Sequence, residues 1–297
     1  MDKNLTLYLT GLPDTLLLFN EPMSRHTTFG IGGPAEVLIQ VNTKDAARAA
    51  ARALKEYDIT PCVIGNGSNI LVSDEGIRGA VMKICCGEYR VSGNTVYAGA
   101  GATLNKLAAA ARDAGLSGLE FAYGIPGTVG GAVYMNAGAY GGQIADVLRA
   151  SEYLDGSGKA GMFSKDEHGF GYRDSVYMHG EYIILEAEFA LNNGEISEID
   201  EKMRDYLKRR RDSQPLELPS AGSVFKRPAG NYAGALIEKC GLKGSRIGGA
   251  EVSEKHAGFI VNRGGATCED VKRLIEHIRE TVLREYGIML ECEIRII

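Results

Sequence analysis

The stretch Gly124-Ile-Pro-Gly-Thr-Val-Gly-Gly-Ala-Val-Tyr-Met-Asn-Ala-Gly-Ala-Tyr-Gly-Gly142 holds seven glycines and no charged side chain. In a chain that is 24% charged, such a segment has to interact through its backbone and its shape. Glycine lets the main chain approach another surface closely and adopts left-handed turns, and the step Pro126-Gly127-Thr128 can expose N–H groups at the start of a short helix. Two readings stand side by side here: a backbone surface pressed against a ligand, or a turn whose glycines serve tight internal packing.

A second segment of the same character lies upstream. Val63-Ile-Gly-Asn-Gly-Ser-Asn-Ile-Leu71 sets a polar glycine loop between two short apolar runs. Gly65 and Gly67 allow successive N–H groups to converge as an anion-binding nest, and Asn66, Ser68 and Asn69 add neutral hydrogen-bonding groups. Alone, the loop reads more readily as a tight hairpin. It is not a Walker A motif, lacking Gly-Lys-Ser/Thr, and it fails the dinucleotide G-x-G-x-x-G pattern because Ile70 stands where the third glycine belongs. Two charge-poor glycine loops at strand ends reinforce each other.

The totals narrow the class. A chain of 297 residues with 44% apolar content is long enough for one large domain or two to three smaller ones. No apolar run approaches the roughly 20 residues that span a bilayer, and Met1-Asp2-Lys3-Asn4 lacks the basic region and cleavage site of a signal peptide, so the cytoplasm is expected. The six cysteines, Cys62, Cys85, Cys86, Cys240, Cys268 and Cys292, include no Cys-x-x-Cys pair, and no histidine stands at zinc-ligand spacing. Reduced thiols and no metal are expected. A net charge of −5 provides no global attraction for nucleic acid or an acidic membrane, so an anionic ligand would need locally gathered cations.

Periodicity outlines the elements. The first twenty residues are amphipathic, with Leu12, Leu16, Leu17 and Phe19 as expected packing positions. A strand is predicted at Val37 to Val41, then a helix capped by Asn42 or Thr43 and running to about Tyr57. Short strands follow at 61–64, 70–72, 80–84 and 95–98, and a helix capped by Thr103 ends near Gly115. Beyond the glycine stretch come strands at 147–154, 161–164 and 182–191, then a helix from Ser197 that ends in Lys208-Arg-Arg-Arg211. A shorter helix is predicted over 233–240. Thr267 with Asp270 forms a capping box ahead of a helix whose apolar face is Val271, Leu274, Ile275, Ile278, Val282 and Leu283. The chain closes on a strand, with Leu290, Cys292, Ile294 and Ile296 on one face and Glu291, Glu293 and Arg295 on the other. Grouped strands mixed with helices indicate an α+β fold.

Taken in order, Ile-Gly-Asn-Gly-Ser-Asn, Gly-Ile-Pro-Gly-Thr-Val-Gly-Gly-Ala and Asn-Ala-Gly-Ala-Tyr-Gly resemble the flavin-binding half of the UDP-N-acetylenolpyruvoylglucosamine reductase (MurB) family. The resemblance continues through Phe170-Gly-Tyr-Arg-Asp-Ser175, Ala221-Gly-Ser-Val-Phe-Lys226, Gly249-Ala-Glu-Val-Ser-Glu-Lys-His256 and the terminal Leu-Glu-x-Glu-Ile-Arg, covering nearly the whole chain from about Thr27. It implies a two-lobed FAD-binding module of the vanillyl-alcohol oxidase-like fold plus a C-terminal α+β substrate-binding domain. The expected divisions are 1–86, 87–203 and 204–297. It implies non-covalent FAD, NADPH as reductant, and reduction of the enolpyruvyl group of a UDP-sugar to UDP-N-acetylmuramate, a peptidoglycan precursor. No nucleic-acid or membrane partner is implied, and a monomer is expected.

The same resemblance assigns residues. Gly65, Asn66, Gly67, Ser68, Asn69, Gly124, Ile125, Pro126, Gly127, Thr128, Gly130, Gly131, Ala132, Asn136, Gly138, Ala139 and Tyr140 are the implied flavin contacts. Ser223 is the implied proton donor, with Arg173 and Glu293 stabilising the enolate-like charge that follows hydride addition. Strand alternation does not distinguish Glu293 from Glu291; the choice follows the family motif. Lys226 is a candidate substrate or nicotinamide-nucleotide phosphate contact. Lys208 to Arg211 carry two readings, a phosphate contact of the same kind or basic residues suited to a helix C-terminus. Arg227 stands where the family commonly has asparagine, which changes the polar contacts expected there and adds a positive charge. The interval between Arg173 and Ser223 is too short for the tyrosine-bearing lid of one branch, so the shorter, lidless type is expected. Competing implications are an alcohol oxidase of the same flavoprotein fold and a non-catalytic nucleotide-sugar or flavin-binding module; the presence of Ser223, Arg173 and Glu293 argues against the latter.

Overall fold

Threonine caps open three helices where the sequence places them. In the computed structural model, which describes residues 2–297, Thr43 accepts from the Ala46 amide ahead of helix Lys44–Glu56, and Thr103 from Lys106 ahead of Leu104–Asp113. Thr267 accepts from Asp270 ahead of Cys268–Tyr286, and Asp270 returns a bond to the Thr267 amide. Each cap satisfies a donor that a helix start leaves unpaired. Gly287, at φ 69°, closes the last helix in the left-handed conformation that glycine takes without penalty.

The fold is α+β, and the chain forms two compact units that do not follow chain order. The first comprises residues up to Phe19, Val37–Asn66 and Gly79–Arg209; the second comprises Asn20–Glu36, Gly67–Arg78 and Arg210–Ile297. One four-stranded sheet runs in the order Thr15–Pro22, Pro34–Val41, Ile77–Ile84, Cys62–Ile64, its last pair parallel. In the first unit a five-stranded antiparallel sheet runs Ala160–Ser164, Leu148–Asp155, Tyr182–Ala190, Thr95–Gly99, Tyr89–Ser92. A continuous apolar core connects Val37, Ile39, Met82 and the alanine face of helix Lys44–Glu56 with Val96, Leu185 and Phe189. Small side chains at Ala46, Ala47, Ala50 and Ala53 let that helix sit close. Lys44 reaches Glu152 at 3.1 Å and Glu186 at 3.0 Å, and Arg48 also binds Glu152. Burial opposes the Lys44 charge, but the hydrogen bonds it donates to both glutamates, with their negative charge, outweigh it and raise its pKa.

Three expectations are corrected. Leu5 and Leu9, one helical turn apart on Lys3–Gly11, are buried, while Leu16 and Phe19 of the following strand stay about half exposed, at 49% and 52%. Leu17 packs against the core, and burial along this strand does not alternate, so Leu16 and Phe19, three residues apart, are both exposed. On the terminal helix Leu283 is exposed and Thr281 is buried in its place. The closing strand is also not continuous. Its residues 291–294 pair with 224–226, the Lys226 amide donating to Glu291 and the Glu293 amide to Val224, at 2.8 and 2.7 Å. Arg295–Ile296 then lies parallel to Ile70–Leu71. The change of partner bends the chain, keeping Leu290 and Ile294 buried but turning Ile296 outward.

The second unit is built on an antiparallel sheet in the order Ser220–Ser223, Phe259–Asn262, Ala250–Val252, Arg246–Ile247. Phe29, Ile31 and Leu71 join its core although they come from early in the chain. Specific bonds secure those early segments. Thr28 donates its hydroxyl to the Ser220 carbonyl at 2.7 Å, and both Asp74 carboxylate oxygens accept amides of the terminal helix, Cys268 at 2.7 Å and Glu269 at 3.1 Å. A carboxylate at a helix start satisfies orphan donors and complements the dipole. Asp74→Ala is therefore expected to lower unfolding free energy by about 1–2 kcal/mol, measured by urea denaturation, the scale of a lost cap.

Candidate active site

The glycine stretch folds largely against its own unit. Helix Val129–Tyr134 begins at Thr128, but its Val129 and Gly130 amides donate to Ala102 and Ala100 carbonyls, both at 2.8 Å. A Cβ on Gly130 would lie 2.9 Å from Ala100, and one on Gly142 2.7 Å from the Phe121 ring. A Cβ on Gly138 would lie 2.7 Å from the Gly142 carbonyl, next to Ala139, which pairs with Gly142. Internal packing thus accounts for these three glycines. Gly124 donates to Asn105 at 2.6 Å, Ile125 to Ala122 at 3.2 Å, and the Gly127 carbonyl accepts from Leu104 at 3.1 Å. Ala132 is buried. Gly131 differs: a Cβ there would meet Thr128 Oγ1 at 3.6 Å and nothing closer.

Thr128 is where the two glycine segments converge within the first unit. A Cβ on Gly65 would fall 2.2 Å from Thr128 Oγ1, and Asn66 donates its side-chain amide to the Pro126 carbonyl at 2.7 Å. The Thr128 hydroxyl is buried and has no hydrogen-bond partner among the described residues. Leaving such a group unpaired costs roughly 1–3 kcal/mol, so its setting fits an incoming ligand oxygen better than a finished interior. At Gly65 and Gly131 the hydroxyl is neighboured by main chain without a side chain. These features fit a bound nucleotide cofactor held through its phosphates.

The rest of the upstream loop belongs to the second unit. Gly67 is at φ 63°, where its carbonyl accepts from Thr28 at 3.2 Å, and Ser68 is half-buried. Asn69 donates to the Glu293 carbonyl at 3.1 Å, bracing the backbone of the predicted catalytic acid.

Arg173 sits at the tip of a two-residue hairpin closed by bonds between Gly171 and Asp174, at 3.1 and 3.4 Å. Its guanidinium donates to the Gly138 carbonyl at 3.1 Å and the Asn136 carbonyl at 3.4 Å, and lies 5.1 Å from the Tyr172 ring. The structure therefore brings Arg173 to the second half of the glycine stretch. Asn136 is buried, with its amide engaged by Gly171 at 2.9 Å, Gln143 at 3.3 Å and Ala145 at 2.9 Å, so its side chain braces the site. Tyr140 stacks on Tyr206 with ring centroids 4.7 Å apart. Sequence reasoning missed Tyr206, a lone aromatic in a charged helix.

Asn136, Tyr140 and Arg173 have φ of 43°, 54° and 55°. Left-handed backbone at non-glycine residues costs about 1–3 kcal/mol each and gathers where function requires it.

In the second unit the backbone brings Ser223 and Glu293 together. Ser223 ends a strand opposite Phe259, after a register shift with Gly222 at φ 78°. One residue on, the Val224 carbonyl accepts the Glu293 amide at 2.7 Å. The Ser223 side chain is partly exposed, and its hydroxyl has no protein hydrogen-bond partner among the described residues. Structure also separates the two acids: Glu291 is 75% exposed and pairs with Lys226 at 3.6 Å, whereas Glu293 is half-buried. Arg227 lies 4.3 Å from the exposed Tyr232 ring.

Of the basic helix end, Arg209 pairs with Asp205 at 2.7 Å, and the buried Arg210 donates to Gln214 at 3.1 Å. His256 accepts from the Gly258 amide at 3.1 Å, and burial lowers its pKa. Among the described residues no three His, Cys, Asp or Glu side chains gather as a metal-ligand set.

Comparison with known proteins covers both halves of the chain. The model of the FAD binding domain family matches residues 35–164, and that of the C-terminal domain of UDP-N-acetylenolpyruvoylglucosamine reductase matches residues 214–297. The chain is 48% identical over 288 residues to the UDP-N-acetylenolpyruvoylglucosamine reductase of Alkaliphilus oremlandii, covering 96% of this chain and 95% of that one. It is 46% identical over 282 residues to the same-named protein of Clostridium botulinum, covering 95% and 92%. Among solved structures it is similar to UDP-N-acetylenolpyruvylglucosamine reductase (MurB) from Thermus caldophilus, with a TM-score of 0.80 at 36% identity over 95% of this chain and 98% of that one.

Thr128→Val keeps the shape of the side chain and removes the orphan hydroxyl. The apoprotein is expected to gain about 1 kcal/mol in denaturant unfolding. FAD affinity, followed by fluorescence titration, is expected to fall about tenfold, equivalent to ~1.4 kcal/mol.

Proposed function

The chain belongs to the UDP-N-acetylenolpyruvoylglucosamine reductase (MurB) family, and on that premise we propose that it reduces the enolpyruvyl group of UDP-N-acetylglucosamine enolpyruvate to give UDP-N-acetylmuramate, with bound FAD and with NADPH as reductant. The product is a peptidoglycan precursor. Segments 1–86 and 87–203 serve the flavin and 204–297 the substrate. The observation that carries the residue-level reading is the 2.7 Å bond from the Glu293 amide to the Val224 carbonyl, which places the proposed acid beside the strand end that bears Ser223.

FAD, when bound, supplies a hydride to the β-carbon of the enol ether. Its phosphates would be held by the loop Gly65, Asn66, Gly67, Ser68 and Asn69 and by the step from Gly124 to Ala132, where the Thr128 hydroxyl would gain a partner. Asn136, Gly138, Ala139 and Tyr140 would serve the ring system. Addition of hydride leaves enolate-like charge spread onto the substrate carboxylate. Arg173 meets that charge with a permanently cationic, planar donor fork, and its bonds to the Asn136 and Gly138 carbonyls hold the fork in one orientation. Glu293 is the second group proposed to stabilise that charge. Ser223 then passes its hydroxyl proton to the α-carbon, a role suited to a hydroxyl that is partly exposed and uncommitted. Lys226, released from Glu291, and Arg227 contact the polar groups of the UDP-sugar. The basic run Lys208 to Arg211 acts chiefly within the protein.

No described helix is long and apolar enough to cross a membrane. The proposed setting is the cytoplasm, with the enzyme acting as a monomer.

Stopped-flow absorbance separates the two half-reactions. In Ser223→Ala, flavin reduction by NADPH is expected at the wild-type rate, while reoxidation by the enolpyruvyl substrate slows by at least ~100-fold, the scale of a lost general acid. Equal slowing of both steps would contradict the assignment.

A further inference from the structure

The hairpin that bears Arg173 is gripped at its base by three buried polar side chains with no part in the proton or hydride steps. His168 lies three residues before Gly171 and Tyr177 three residues after Asp174. Both reach the same hydroxyl: Ser151 Oγ stands 2.6 Å from His168 Nε2 and 2.5 Å from the Tyr177 hydroxyl. Ser151, His168 and Tyr177 are 2%, 0% and 2% exposed.

The polarity of this relay follows from its outer end. His168 Nδ1 faces the Lys165 carbonyl at 3.3 Å, so that nitrogen carries the proton and Nε2 is the acceptor. Ser151 therefore donates to His168, and the Tyr177 hydroxyl donates to Ser151. Burial lowers the His168 pKa and raises that of Tyr177, which keeps both neutral and preserves this direction.

One stem of the hairpin packs on the relay and the other is bonded to a neighbouring helix end. On one side Phe170 stacks on the His168 ring, with centroids 5.0 Å apart and planes within 2°. On the other, Ser175, two residues before Tyr177, donates to the Tyr134 carbonyl at 2.7 Å. At the tip, Arg173 holds φ 55°, a conformation a non-glycine residue keeps only where its surroundings over-determine it. Bonds at the tip orient the guanidinium, but they do not fix the stems. The relay adds an attachment of the flanking residues His168 and Tyr177 to strand Leu148–Asp155, beside the bonds of Ser175 to Tyr134 and of Asn136 to Gly171.

We propose that Ser151, acting through His168 and Tyr177, is a positioning residue for Arg173: the buried relay holds the Arg173 hairpin in the strained form that presents its guanidinium to the substrate carboxylate. This rests on the role proposed for Arg173 above.

The test is single-turnover reoxidation of the NADPH-reduced holoenzyme by enolpyruvyl substrate. It compares wild type, Ser151→Ala, Tyr177→Phe, Arg173→Ala, and each relay variant combined with Arg173→Ala. Ser151→Ala is expected to slow this step about tenfold, and Tyr177→Phe, which keeps the ring packing and so tests the relay even if Ser151→Ala fails to fold, about threefold. Flavin reduction by NADPH stays within about twofold of wild type in both. In the Arg173→Ala background neither change slows the step further, because the group they position is already gone. Wild-type rates in the single variants, or additive slowing in the double variants, overturns the proposal while leaving the role of Arg173 intact. A wild-type rate in Arg173→Ala overturns that role and the proposal together.

Discussion

The last seven residues of the chain have backbone groups to satisfy on two sides, and the second unit is arranged around how they do so. Residues 291–293 exchange bonds with Val224 and Lys226; then Arg295 and Ile297 donate to Asn69 and Leu71, and Ser73 donates back to Ile297 at 2.7 Å. Segment Gly67–Arg78 is thereby joined to a core made mostly of residues beyond 210, and Asp74 reinforces the join at the terminal helix. These bonds are made by main-chain atoms, while Val224, Phe225, Leu290 and Ile294 supply the apolar burial. Of the two acids on this strand, Glu291 and Glu293, neither supplies these main-chain bonds through its side chain. One pairs with a lysine, and the other stands beside Ser223.

The first unit supports its site differently, through strain that its surroundings contain. Asparagine tolerates left-handed backbone, which suits Asn136, but arginine and tyrosine gain nothing from it. Arg173 and Tyr140 hold that conformation because hydrogen bonds, stacking and the buried Ser151 relay leave the local chain no relaxed alternative. Such ordering limits the motion of a long charged side chain before substrate arrives. That matters for catalysis, where a group aligned in advance need not be reorganised as charge develops.

Glycine plays two parts in the same stretch. Gly130, Gly138 and Gly142 are needed because neighbouring atoms occupy the space a Cβ would take, the tight-packing reading of the segment. Gly65 and Gly131 flank a buried hydroxyl without a partner, which favours a ligand surface. Both readings of the composition are realised, a few residues apart. No count of glycines in a sequence distinguishes them, because the distinction depends on what stands opposite.

The sequence by itself determined the helices with threonine caps, the strands with clear apolar runs, the α+β class, and, through ordered motifs, the family. Those features are local: a cap, a period or a motif is complete within a few residues of chain. It did not show the strands between Ser220 and Asn262, whose short, glycine-interrupted pairings form only when distant segments meet. Nor could it separate Glu293 from Glu291, which share one strand face; the lysine beside Glu291 and the half-burial of Glu293 do so. Only tertiary structure decided that residues 20–36 and 67–78 belong with the C-terminal segment, that Arg173 binds the glycine stretch, and that Ser151 grips its hairpin. Each depends on hydrogen-bond partners far apart in the chain, and their meeting is fixed by the fold as a whole.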